Sequence, residues 1–143
     1  MSRAYAIVAR ADLYGKVNYD VRPYFRGHAL VSLAQYQKNL KAIATDAAQH
    51  ARIVIWVDTT DVPADLDPSA QQYGAPPHAQ VPYNQAAHAI AKKHGFYILN
   101  LTSDGRVPRD VHYTPAGAAK QSREISDCVL LALAGKQSGI CHK

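Results

Sequence analysis

The sequence predicts an α/β domain built on a parallel sheet, and three observations support this. Short runs rich in apolar, β-branched and aromatic residues, Ala4-Tyr5-Ala6-Ile7-Val8-Ala9, Ile53-Val54-Ile55-Trp56-Val57 and Phe96-Tyr97-Ile98-Leu99, alternate with stretches whose apolar residues recur every three or four positions. The runs are continuous rather than alternating, the pattern of strands buried on both faces. Each connection between runs is long enough for the crossover that a parallel pair requires. At 143 residues the chain fits one domain, read as residues 1–135 followed by a C-terminal tail over 136–143.

The first run, 4–9, reads as a core strand. Residues 13–27 mix Tyr14, Tyr19, Pro23 and Tyr24 with charged residues in no period, the mark of an irregular surface segment. Between Ser32 and Arg52, Leu33, Tyr36, Leu40, Ile43 and Ala47 fall on one side while Gln37, Lys38, Lys41 and Asp46 take the other, which predicts an amphipathic helix. The strand over 53–57 is followed by a loop from Asp58 to Pro82 containing Asp58, Asp61, Asp65, Asp67 and Gly74; long loops at this end of a strand often shape a binding site.

A second helix runs from Pro82 to His94, with the proline in its first turn and Gly95 as its stop. Its apolar positions are Tyr83, Ala86, Ala87, Ile90 and Ala91. After the strand at 96–99 comes a loop over 102–110. Thr114 then caps a last helix whose first turn is fixed by Pro115 and whose end is set by Gly135. Ala119, Ser122, Ile125, Ser126, Val129 and Leu133 are read as its inner face, and Lys136 to Lys143 as an exposed extension.

The formal net charge is +5, and of eleven acidic residues only Glu124 is a glutamate. Arg22, Arg26, Lys38, Lys41, Lys92, Lys93 and Lys120 are spread over several elements instead of gathering on one face among aromatics, which argues against a nucleic-acid partner. No apolar stretch reaches the roughly 20 residues needed to cross a bilayer, and Met1 to Tyr5 lacks the apolar core of a signal peptide; the compartment stays open. Cys128 and Cys141 form no CxxC motif and have no histidine at zinc spacing, so no structural metal is expected. They pair if the tail folds back in an oxidising compartment, and otherwise stand as free or buried thiols. The aspartates of the 58–67 segment do not fit a calcium loop, and no cofactor motif is present.

The most informative segment is Arg109-Asp110-Val111-His112-Tyr113-Thr114-Pro115-Ala116-Gly117. It leaves the C-terminal edge of a strand, where open α/β sheets form sites, and delivers His112 just before a helix start. In extended backbone residues two apart point the same way, so Asp110 is placed to accept a hydrogen bond from the His112 ring. That bond fixes the tautomer and stabilises the imidazolium formed when the histidine takes a proton from a nucleophile. The candidate catalytic residues are therefore His112 as general base and Asp110 as its orienting carboxylate.

This block resembles the last motif of the SGNH or GDSL-type hydrolases, an Asp and His pair followed by a Thr-Pro-x-Gly helix start. Val31 to Leu40, with its Tyr36-x-x-Asn39-Leu40, is similar to an upstream helix of that family, and Ile53 to Thr60 to the strand and Thr-rich turn after it. Val81 to Ala87, with Tyr83-Asn84, resembles the next helix, and His94-Gly95-Phe96 the stop before the last strand. The resemblance covers about residues 30 to 134 in the family's order. It implies a flavodoxin-like three-layer αβα sandwich with a parallel sheet, lacking the family's N-terminal strand or strands, and hydrolysis of acyl esters by Ser/His/Asp chemistry.

The departures are specific. Many members carry the Asp three residues before the His, where this sequence has Arg109, so either Asp110 acts from two before or a carbonyl substitutes. None of the serines follows Gly-Asp, and Arg10-Ala11-Asp12-Leu13 lacks the oxyanion Asn expected after the first strand. Loss of one oxyanion donor alone costs about a hundred- to a thousandfold in rate. The sequence therefore leaves two expectations: an ester-hydrolase domain whose Ser nucleophile is missing from this chain, or an inactive accessory subunit, a pseudoenzyme that binds a partner. The first takes an ester substrate; the second needs a homo- or hetero-oligomeric partner over an exposed sheet edge.

Overall fold

The structure is a computed structural model and describes residues 24–25, 28–29, 31–65 and 77–143. The strand expected over 4–9 lies outside the described residues, as do most of the irregular segment over 13–27 and the middle of the 58–82 loop. The short strands β1 (Tyr24–Phe25) and β2 (His28–Ala29) form an antiparallel ribbon.

Helix α1 (Leu33–His50) begins where the Ser32 hydroxyl accepts the Gln35 amide at 3.2 Å. It leads into β3 (Ile55–Val57), and helix α2 (Val81–Lys93), with proline in its first turn, crosses to β4 (Tyr97–Leu99). The two strands pair in parallel, Ile55 with Tyr97, Trp56 with Ile98 and Val57 with Leu99. Gly95 makes the turn between α2 and β4 in left-handed backbone, φ 68°. Helix α3 (Pro115–Leu133) starts at the Thr114 cap and is followed by β5 (Cys141–His142).

Strand β5 corrects two expectations. Residues 136–140 are exposed, but the end of the tail does not stay in solvent: it returns antiparallel along β4, Leu99 opposite Cys141 and Ile98 opposite His142, and Cys141 is fully buried. The described sheet is thus a small mixed one in the order β3-β4-β5, and the flavodoxin-like parallel sandwich is not what forms. The strands are only two or three residues long, and one of its two pairings is antiparallel. The physical reason is the tail, which turns sharply after α3 and takes the free edge of β4. No helix among the described residues is long and apolar enough to cross a membrane.

Because successive strand residues face opposite ways, the sheet feeds two cores. Ile98, with Phe96, Trp56 and Val54, packs against Leu40, Ala44 and Ala47 of α1 and Ala87, Ile90 and Ala91 of α2. Tyr97 and Leu99, with Ile53 and Ile55, pack on the other side against Cys128 and Ala132 of α3 and against Cys141. Cys128 and Cys141 are disulfide-bonded, Cα atoms 5.4 Å apart, which resolves the alternatives the sequence left open.

The inner face of α3 is also not the predicted one. Gly117, Cys128 and Ala132 are buried, while Ile125, Val129 and Leu133 are exposed. Two anchors on one side of the helix, the disulfide at Cys128 and a backbone contact at Gly117, turn the apolar stripe outward.

Candidate active site

The loop before α3 closes as a narrow hairpin. Arg106 and Tyr113 bridge antiparallel, the Val107 amide donates to the His112 carbonyl at 2.9 Å, and the Asp110 amide to the Val107 carbonyl at 3.1 Å. Arg109 occupies the tip in left-handed backbone, φ 59°. The residue three before His112 is thus a turn residue, while the carboxylate one place later faces the histidine.

Asp110 Oδ1 accepts the His112 backbone amide at 3.1 Å and lies 2.7 Å from the ring Nδ1. An ionised carboxylate only accepts, so this contact selects the ring with hydrogen on Nδ1 and leaves the Nε2 lone pair available to take a proton. The amide and then the ring of His112 hold the Asp110 carboxyl below its ordinary range. A depressed carboxylate favours the fold above its unfolded pKa, and that contribution disappears as pH falls through the lowered value. With the His112 side chain 80% and Asp110 37% exposed, the pair orients a ring and adds little to stability.

What fixes the hairpin is a close backbone crossing. Gly105 and Gly117 are in contact, and a Cβ on Gly105 would sit 2.5 Å from the Gly117 Cα. The Gly105 carbonyl accepts both the Thr114 amide and the Thr114 hydroxyl, each at 2.9 Å, while the same hydroxyl oxygen accepts the Gly117 amide at 3.1 Å. The first turns of α3 add Lys120 to Asp104 at 2.6 Å, Gln121 to the Thr102 carbonyl at 3.0 Å, and the Thr102 amide to Glu124 at 3.0 Å. Tyr113 ties the hairpin inward, accepting from Arg106 Nε at 3.0 Å. Burial pushes its phenol up, but hydrogen bonds with Thr60, Arg106 and Gln121 and the Arg106 charge outweigh this and hold it below the usual tyrosine range.

A second Asp-His pair escaped the sequence reading. At the end of β3, both carboxylate oxygens of Asp58 lie 2.8 Å from His88 Nε2 on α2, and this pair is much less exposed than Asp110 and His112. One turn earlier on α2, Asn84 brackets Thr59, donating to its carbonyl at 2.8 Å and accepting its amide at 3.3 Å. Together they hold the 58–60 turn, from which Thr60 reaches Tyr113. Burial first, and then the Asp58 charge, raises the Tyr36 phenol above its ordinary value. Asp61 is likewise paired with His78. The available sequence signal was position alone: an aspartate directly after a strand and a histidine four residues beyond Asn84.

Serines do not complete a triad among the described residues. Ser32 caps α1, Ser122 and Ser126 donate to the carbonyls one turn back, Ser138 accepts the Cys141 amide, and none of these hydroxyls meets His112. Comparison with known proteins finds no family model, no curated protein and no solved structure that matches this chain.

Proposed function

We propose that this chain supplies the base end of an SGNH/GDSL-like acyl-ester hydrolase. His112 acts as general base and Asp110 holds its tautomer; the Ser nucleophile and the oxyanion donors come from outside this chain. The observation that carries the reading is the 2.7 Å contact between Asp110 Oδ1 and His112 Nδ1 on a hairpin stitched to the start of α3. The base would take the serine proton through Nε2 as the hydroxyl adds to the ester carbonyl, then return it to the leaving alcohol.

A second reading is favoured by a different observation, the high exposure of the His112 ring, whose side-chain partner is Asp110 and to which no described serine is hydrogen-bonded. On that reading the chain is an inactive accessory subunit that keeps the base end of the apparatus and binds a partner.

A fluorophosphonate probe separates the two, since it labels only activated nucleophiles. The 143-residue chain is expected to give no adduct. A form extended by a strand carrying Gly-Asp-Ser is expected to label and to turn over simple esters. No labelling and no turnover in the extended form overturn the hydrolase reading in favour of the accessory one, whereas an adduct on the shorter chain overturns the external nucleophile.

A further inference from the structure

Helix α3 presents an apolar stripe to solvent. Ile125 is 41%, Val129 39%, Leu130 64% and Leu133 60% exposed, although the same helix buries Cys128 and Ala132 against the sheet and Gly117 against Gly105. Toward the N-terminal end of the helix the stripe continues through small exposed residues, Ala118 and Ser122, with Ser126 at its middle. Spacings of three and four place all of these within about two-fifths of the helix circumference, with Ile125 and Leu130 at its two edges. The stripe is therefore graded, small side chains at one end and large ones at the other.

A surface graded in this way is complementary to itself when reversed. A two-fold axis beside Ile125 and Ser126 sets two α3 helices antiparallel. Leu133 of each copy then lies opposite Ala118 of the other, and Val129 opposite Ser122. The large end of one stripe fills the small end of its mate, the self-complementarity an isologous contact requires. The flank agrees in charge, because the same axis brings Arg123 of each copy beside Asp127 of the other. A single sequence thus provides both halves of the fit in size and in sign.

We propose that α3 is a self-association surface and that its occupant is a second copy of this chain, packed antiparallel about Ile125 and Ser126. The stripe is about 22 Å long at 1.5 Å rise per residue, a contact of the small, reversible class. The proposal is independent of both functional readings, since α3 meets the His112 hairpin through its opposite face and first turns.

Sedimentation equilibrium of the full chain with its disulfide intact is expected to show twice the chain mass at about 100 µM and the single mass on dilution. Val129→Asp is expected to abolish the dimer, with circular dichroism confirming that the variant is folded. Independently, Ser126→Cys places two thiols across the axis and is expected to give a covalent dimer on mild oxidation, while Lys41→Cys on the exposed side of α1 does not. A single mass throughout, whether because other residues of the chain or a different protein cover the stripe, overturns the proposal. So does a dimer that survives in folded Val129→Asp, or cross-linking no faster through Ser126→Cys than through Lys41→Cys.

Discussion

Gly117→Ala is expected to destabilise the chain by about 3 kcal/mol, at the upper end of the usual overpacking range. By helix propensity alone the same change would stabilise α3 by roughly 1 kcal/mol, so the sign tests the geometry. The new methyl would lie 2.8 Å from the Gly105 carbonyl carbon and closer still to its oxygen. Both are backbone atoms, and no side-chain rotation relieves the clash. The loop must retreat, and it then loses the two hydrogen bonds from Thr114 to the Gly105 carbonyl. Gly105→Ala should be worse, because a methyl there meets the Gly117 Cα at 2.5 Å and also forces alanine into left-handed backbone at φ 80°. Gly95→Ala is the control: it shares the left-handed strain, at φ 68°, but has open space around its Cβ. Urea unfolding of the three variants gives the order. A Gly117→Ala chain as stable as the parent would mean that the crossing is not tight.

Removing the Cys128–Cys141 disulfide is expected to lower stability by about 3 kcal/mol, the chain-entropy value for a loop of this length. The loss should be local before it is global. Strand β5 is two residues long and cannot hold itself on β4 without the covalent tie. In the Cys128→Ala, Cys141→Ala double variant, the amides of Asn100 and Ser138, which donate to Ile140 and Cys141 carbonyls, should lose hydrogen-exchange protection first. Amides within α1 and α2, which pack on the other side of the sheet, should lose it only with global unfolding. Unchanged melting with and without reductant would contradict the assigned role of the tail.

The three helices among the described residues were legible because each carries its own boundary chemistry: Ser32 and Thr114 as caps, Pro82 and Pro115 in first turns, Gly95 and Gly135 after the ends. The strands over 55–57 and 97–99 were legible as β-branched and aromatic runs. The mixed sheet was not, because β5 is a two-residue strand with no period to read, and its place depends on the disulfide and on the free edge of β4. The buried side of α3 was misjudged for a related reason. Periodicity locates an apolar stripe, but here Gly117 and Cys128, neither a large hydrophobe, decide which side meets the sheet. Of the site, Asp110 and His112 do meet, but across a bend in which Asp110 also accepts the His112 amide and not through the extended backbone expected from the sequence. The Asp58 and His88 pair, in contrast, joins residues thirty apart, which only the packing of α2 beside β3 brings together.

Nitrogen-detected NMR of the neutral His112 ring most directly tests whether Asp110 prepares a base. The geometry predicts hydrogen on Nδ1 and a bare Nε2, with the Asp110 carboxyl titrating below the ordinary aspartate range. Asp110→Asn should lose that preference. A His112 ring that carries its hydrogen on Nε2 in the parent chain, or a tautomer indifferent to Asp110→Asn, would contradict the account.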